Sequence, residues 1–159
     1  MSPFFIGKEM STFKLSKRSK DRMKGVDDNL VEVVNRAIEI TSMDFGVTEG
    51  VRTLARQKLL LAAGATLTLD SKHIDGRAVD LVGYIGKNIS WEMPVYFCIA
   101  DAMRTAAIEL NVSIRWGGAW QVKDIREVPD MEEAHYEYLS ECIKNRRRVF
   151  IDGPHFETS

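Results

Sequence analysis

Residues 71–84 read SKHIDGRAVDLVGY, and the second half of that run decides the fold class. In RAVDLVGY (77–84) the alternation of a strand puts Val79 and Leu81 on one face and Ala78, Asp80 and Val82 on the other. Asp80 therefore occupies a place where an apolar side chain is expected. Desolvating an ionised carboxylate is costly unless a hydrogen-bond donor, a cation or a metal satisfies it. The strand thus predicts both a sheet and a partner for Asp80 supplied from elsewhere in the chain.

Working outward, the flanking segments read as helices and short strands. Upstream, VDDNLVEVVNRAIEITS (26–42) carries a helical apolar stripe at Leu30, Val33, Val34, Ala37, Ile38 and Thr41, capped by Asp27 or Asp28. MDFGVTEGVRT (43–53) predicts a short strand entering a glycine turn. A helix then starts near Thr53, runs through LARQKLLLAA and ends at Gly64. GATLTLDSKHIDG (64–76) is a polar loop into the strand at Ala78–Tyr84. Downstream, GYIGKNISWE (83–92) predicts a hairpin or loop, and Pro94 opens a long helix that stops at Asn111. VSIRWGG (112–118) reads as a strand, MEEAHYEYLSECIKN (131–145) as an amphipathic helix, and RRVFIDGPHFE (147–157) as a last strand broken by a turn. The expectation is one α+β domain in which helices pack on a small, mainly antiparallel sheet.

With 159 residues, 45% of them hydrophobic and 28% charged, the chain has the composition of a globular domain able to bury a core. A net charge of −1 argues against a general nucleic-acid binder. The longest apolar runs fall short of a bilayer span, so no membrane insertion is expected. No secretory signal is read in MSPFFIGKEMSTFKLSKRSK. Cys98 and Cys142 suit neither a zinc knuckle nor a redox pair and are read as buried thiols. Charge is uneven: six cations crowd Lys14–Lys24, and acids crowd Glu127–Glu141, each read as a solvated helix face.

Chemistry concentrates in three places. In HIDGRAVD, Gly76 permits a tight reversal that lets His73 and Asp80 point into one cavity, with Asp75 a rival ligand that is more simply a turn former. In DGPHFE, the ring of Pro154 restrains where Asp152 lies relative to His155. Two histidines and a carboxylate form a three-ligand set that leaves a fourth tetrahedral position for water, the pattern of catalytic zinc, and Asp152 would stand beside that water as a base. Glu157 shares the strand face of His155 and would orient its imidazole. In TEGVRT, Arg52 follows a strand and a glycine, where its fork would hold a carboxylate or an oxyanion; a surface charge is the plainer reading. His135, in an acidic helix, is read as solvated or helix-pairing, and Trp91 as packing.

These blocks resemble a known family. SKHIDGRAVDL fits the Ser-x-His-x-x-Gly-x-Ala-x-Asp pattern of the zinc peptidases that include D-alanyl-D-alanine dipeptidases and carboxypeptidases, and RWGGAW followed by DGPHFE resembles their branch of phage endolysins that cleave the L-alanyl-D-glutamate bond of peptidoglycan. The resemblance covers residues 13–159 as a single peptidase domain and leaves residues 1–12 as an N-terminal extension outside it. It implies that one Zn2+ is bound by His73, Asp80 and His155, that Asp152 is the general base, and that Arg52 stabilises the tetrahedral intermediate. It further implies that Ser71, Trp116 and Trp120 line the substrate groove. Ala119 departs from the acidic residue frequent at its position, and an Asp base in place of the Glu of the dipeptidase branch favours the endolysin branch.

The implied partner is the peptidoglycan stem peptide, with no nucleic acid, for a monomeric enzyme held in the host cytoplasm until it is released to the wall. A D,D-carboxypeptidase of the same family, or a zinc-binding wall-recognition module without catalysis, are the alternative readings.

Overall fold

The computed structural model describes residues 10–66, 68 and 71–159. Its elements are α1 (Lys17–Arg22), α2 (Asp28–Ile40), β1 (Asp44–Glu49), α3 (Leu54–Ala62), β2 (Ala78–Ile85), β3 (Asn88–Ser90), α4 (Met93–Leu110), β4 (Ile114–Trp116), a single 3-10 turn at Ile125–Glu127, α5 (Met131–Lys144) and β5 (His155–Thr158). The architecture is α+β, as the alternation in β2 and the helical stripes predict. Of the expected N-terminal extension, residues 1–9 lie outside the described residues.

Every strand pairing is antiparallel, in the order β1-β2-β5-β4. One edge of β2 pairs with β1, and the other edge is shared: β3 takes Gly83–Ile85 while β5 takes Ala78–Asp80. That division matters for chemistry, because it leaves Asp80 flanked by Glu49 on one side and His155 on the other. Residues far apart in the chain are thereby set in one row across three strands.

Local signals explain most boundaries. The Asp27 carboxylate accepts from the backbone N–H of Asn29 and Leu30 to start α2, and Thr53 caps α3 through the N–H of Arg56. Asn111, at φ 56°, closes α4 in the left-handed conformation that asparagine tolerates. The buried stripe of α2, Leu30, Val33, Val34 and Ala37, packs against α4 and, with Val79, Leu81, Ile99, Met103 and Phe156, forms the core.

One expectation is corrected. The last strand begins only at His155, because the backbone of Phe150 pairs with side chains instead of a neighbouring strand: its N–H donates to the Tyr138 hydroxyl, and its carbonyl accepts from Tyr138 and from the Trp120 indole. Helix α1, whose polar run shows no apolar period, is stabilised by its contact with β1. Ser16 caps it, the Ser19 hydroxyl accepts from the Val47 N–H at 2.9 Å, and Arg22 donates to the Val47 carbonyl at 3.0 Å. The free edge of β1 is covered in this way, which also blunts edge-to-edge association.

Candidate active site

Residues from four segments converge on one chamber of about 850 Å³, which includes Arg52, Ser71, His73, Asp80, Trp120, Asp152, His155 and Glu157 in its wall. His73 enters from the loop ahead of β2. Gly76 makes the reversal at φ 72°, where an added Cβ would meet the Gly25 carbonyl oxygen at 2.6 Å. The register between β2 and β5 then sets His155 directly across from Asp80.

One ring nitrogen of His73, a carboxylate oxygen of Asp80 and one ring nitrogen of His155 lie within 4.8 Å of one another. His73 Nε2 stands 3.0 Å and His155 Nδ1 3.5 Å from Asp80 Oδ1. The outward nitrogens are both held. His73 Nδ1 donates to the Gly50 carbonyl at 2.9 Å, and His155 Nε2 contacts Glu157 Oε1 at 2.8 Å. An imidazole whose second nitrogen is fixed by an acceptor presents the first in one orientation, which is how metal-binding histidines are held. Two such imidazoles and a partly buried carboxylate are a donor set that fits a divalent cation. Asp75, the rival ligand, is exposed and pairs with Arg77.

Electrostatics follow from this crowding. Burial alone would raise the Asp80 carboxyl, but hydrogen bonds from His155 and His73 hold it well below the usual carboxylate range. His155 is pushed up to about 9: burial opposes its charge, and the bonds to Asp80 and Glu157 outweigh that. Asp152 is pushed up to about 6 by burial and by the neighbouring Asp80 charge, against the pull of His155, His73 and Arg52. A carboxyl poised there can take and return a proton near neutral pH.

Asp152 is placed by backbone bonds between two loops. Its N–H donates to the Gly117 carbonyl at 2.9 Å, its own carbonyl accepts from the His155 N–H at 3.0 Å, and the Gly117 N–H donates to the His155 carbonyl at 2.9 Å. Gly117 has to be glycine, since a Cβ would collide with the Asp152 carbonyl. The RWGG segment thus fastens the loop that carries Asp152. This gives Trp116 a different part from the groove contact expected of it. The ring is fully buried in the core and its indole donates to the Gly153 carbonyl at 2.7 Å, so it braces the loop from behind. Trp120 and Ser71 do line the chamber; the Ser71 hydroxyl accepts from the His73 N–H at 3.2 Å.

Arg52 is only 8% exposed and is gripped on three sides. Nε and Nη2 each donate to a Glu49 oxygen at 2.7 Å, and Nη1 donates to Gln57 Oε1 at 2.7 Å. Nη2 also stands 3.7 Å from Asp80 Oδ2. A guanidinium has five N–H groups, so this grip leaves one on each terminal nitrogen for another acceptor. Sequence reasoning missed Glu49 and Gln57. The Glu-x-x-Arg spacing of TEGVRT was the available signal, but it acquires meaning only once β1 and β2 are paired.

His135 is also corrected: it is buried, and its Nδ1 donates to the Gly118 carbonyl at 2.7 Å, away from the ligand cluster. Trp91, read as packing, is instead 67% exposed on the chamber wall.

Residues 10–158 match the family model described as phage L-alanyl-D-glutamate peptidase. Over 113 residues the chain is 33% identical to the L-alanyl-D-glutamate peptidase of Escherichia phage T5, covering 69% of this chain and 82% of that one. It also superposes on the crystal structure of the Serratia marcescens L-Ala D-Glu endopeptidase ChiX with a TM-score of 0.69 and 31% identity, over 99% of this chain and 96% of that one.

Proposed function

The chain belongs to the family of phage L-alanyl-D-glutamate peptidases, and from that membership we propose that it is a zinc-dependent endopeptidase that hydrolyses the amide between L-alanine and D-glutamate in the peptidoglycan stem peptide. The observation that carries the reading is the meeting of His73, Asp80 and His155 with Asp152 in one chamber of a chain from that family.

His73 through Nε2, Asp80 and His155 through Nδ1 are the residues that would hold zinc. When bound there, the ion supplies a lower pKa for the attacking water and polarisation of the scissile carbonyl. The protein's own groups do the rest. The Asp152 carboxylate takes the proton of the attacking water as the new C–O bond forms, then returns it to the departing D-glutamate amine as the C–N bond breaks, which leaves the L-alanine carboxylate and a free amine. The two uncommitted N–H groups of Arg52 are the donors available to the developing oxyanion, and because Glu49 and Gln57 hold the guanidinium, none of its reorganisation falls in the reaction step. Ser71 and Trp120 would contact the stem peptide. The enzyme acts as a monomer and accumulates in the host cytoplasm until it is released to the wall. No helix among the described residues is long and apolar enough to cross a membrane.

Asp152→Asn tests the reading. It should keep the fold and the metal, measured by elemental analysis, while hydrolysis of purified muropeptides falls by at least about 100-fold. Mass spectrometry of wild-type products should find a new amine on D-glutamate that a chelator abolishes. Released D-alanine would instead identify a D,D-carboxypeptidase, and full activity in the variant would remove Asp152 from its role.

A further inference from the structure

We infer that Trp91 is a glycan-binding platform, a subsite at the chamber wall that takes the apolar face of the sugar ring next to the stem peptide. The inference rests on the proposed cleavage at L-alanine. Trp91 joins β3 to α4 and lines the same chamber as His73, Asp80 and Asp152, yet it is 67% exposed. Its indole is nevertheless held. The ring stacks on Tyr96 at 6.4 Å between centroids and 12° between planes. Tyr96 is buried, and its hydroxyl donates to the Ser90 carbonyl, immediately before Trp91, at 2.8 Å and accepts from the Gly83 N–H at 3.4 Å. One face of the indole is therefore propped from within the fold and the rest is left to solvent.

The other large aromatics of the chamber are tied to one another and to the site: Phe150 stacks on Trp120 with 6.2 Å between centroids. The Trp120 indole donates to the Phe150 carbonyl while its ring lies 5.4 Å from that of His155, and the Tyr138 hydroxyl bonds the same carbonyl. The Trp91 indole makes no hydrogen bond to the described residues. A rigid, open aromatic face on the wall of a binding chamber loses little entropy on binding and gains by desolvation. Its electron-rich face is complementary to the weakly positive C–H groups that a pyranose ring presents on one side.

The chemistry of the substrate names the occupant. L-Alanine is the residue through which the stem peptide joins the glycan, by an amide to the lactyl group of the amino sugar. An enzyme that cuts on the far side of that one residue must accommodate the sugar beside its reacting groups. A cut further along the stem would leave the sugar several residues away.

The test compares two substrates and three proteins. One substrate is the disaccharide-linked stem tetrapeptide; the other is the same tetrapeptide carrying an N-acetyl group in place of the sugar, so that both lack an N-terminal charge. The wild type should favour the glycan-bearing substrate in kcat/KM by about tenfold, the scale of one well-formed aromatic contact. Trp91→Ala should bring that ratio close to one, and Trp91→Phe should retain most of it, with thermal melts confirming that both variants fold. A wild type without preference, or Trp91→Ala that keeps the preference or lowers both rates by the same factor, overturns the assignment. A metal-loaded wild type that cleaves neither substrate overturns the reading of the scissile bond, and the subsite with it.

Discussion

Arg52 illustrates how a residue's chemistry depends on what holds it. Free in water, a guanidinium would have to be ordered by the substrate; here Glu49 accepts from Nε and Nη2, and Gln57 from Nη1. Burial works against the Arg52 charge, and the Glu49 bonds more than restore it. With Arg52 as the proposed oxyanion donor, Glu49→Gln should lower kcat by about 10- to 100-fold with little change in KM, since misplacing a transition-state donor costs rate more than substrate affinity. The same substitution made in an Arg52→Lys background should cost much less, because the fork it positions is already gone. Equal losses in both backgrounds, or a loss confined to KM, would mean that Glu49 acts otherwise. The sequence contains every one of these residues, but only His73, Asp80, Asp152, His155 and Arg52 stand out in it. Glu49 and Gln57 are ordinary polar residues until the pairing of Glu49 with Asp80 across β1 and β2, and the bond of Arg52 to Gln57 on α3, bring them to the site.

At the scale of elements, what could be read from sequence was what is decided locally. The Asp27 cap, the Thr53 cap, the Asn111 stop and the alternation in β2 all depend on neighbours within a few residues. Features decided by distant contacts were misread: Trp116 lies next to the site motif in sequence but behind it in space, Trp91 is exposed in a segment that looked like packing, and Val149–Ile151 has strand-like composition without a strand partner. Fastening between loops belongs to this scale. Gly117→Ala would drive a methyl group into the Asp152 carbonyl and spread the RWGG and DGPH segments. We expect a loss of about 1–3 kcal/mol from such overpacking, read as a drop in Tm of roughly 2–4 °C per kcal/mol for a domain of this size. Activity should fall further than that destabilisation explains, because Asp152, the proposed base, moves with the loop. Gly118→Ala is a poor control, since its Cβ would run into the Trp116 ring. Gly64→Ala, at φ 76° but in open space, is the better one: it should cost stability without displacing Asp152.

At the scale of the whole molecule, the proposed ligands His73, Asp80 and His155 come from β2, β5 and the loop before β2, so a metal bound by all three would tie these segments together and link its binding to folding. Without metal, His155 titrates at about 9 in the folded protein against about 6.5 unfolded. Its contribution to stability is complete below the unfolded value and is lost as pH rises through 9. Asp152, at about 6 folded against about 3.9 unfolded, acts with the same sign, and its stabilisation is lost between roughly pH 4 and 6. From these two groups the metal-free protein should lose stability as pH rises from 4 to 9. Metal binding has the opposite dependence, because the ion must displace the proton on His155. The rise in Tm on adding zinc should therefore grow with pH between 6 and 9, from a small value toward that of about 2.7 kcal/mol expected at a hundredfold excess over Kd. Calorimetric titration at pH 7 in buffers of different ionisation enthalpy should detect protons released on binding. Asp152→Asn should keep the zinc-dependent rise in Tm and His155→Ala should lose it. If His155→Ala shows the same pH-dependent rise as the wild type, His155 does not bind the metal, and the cluster must be rebuilt around another set of ligands.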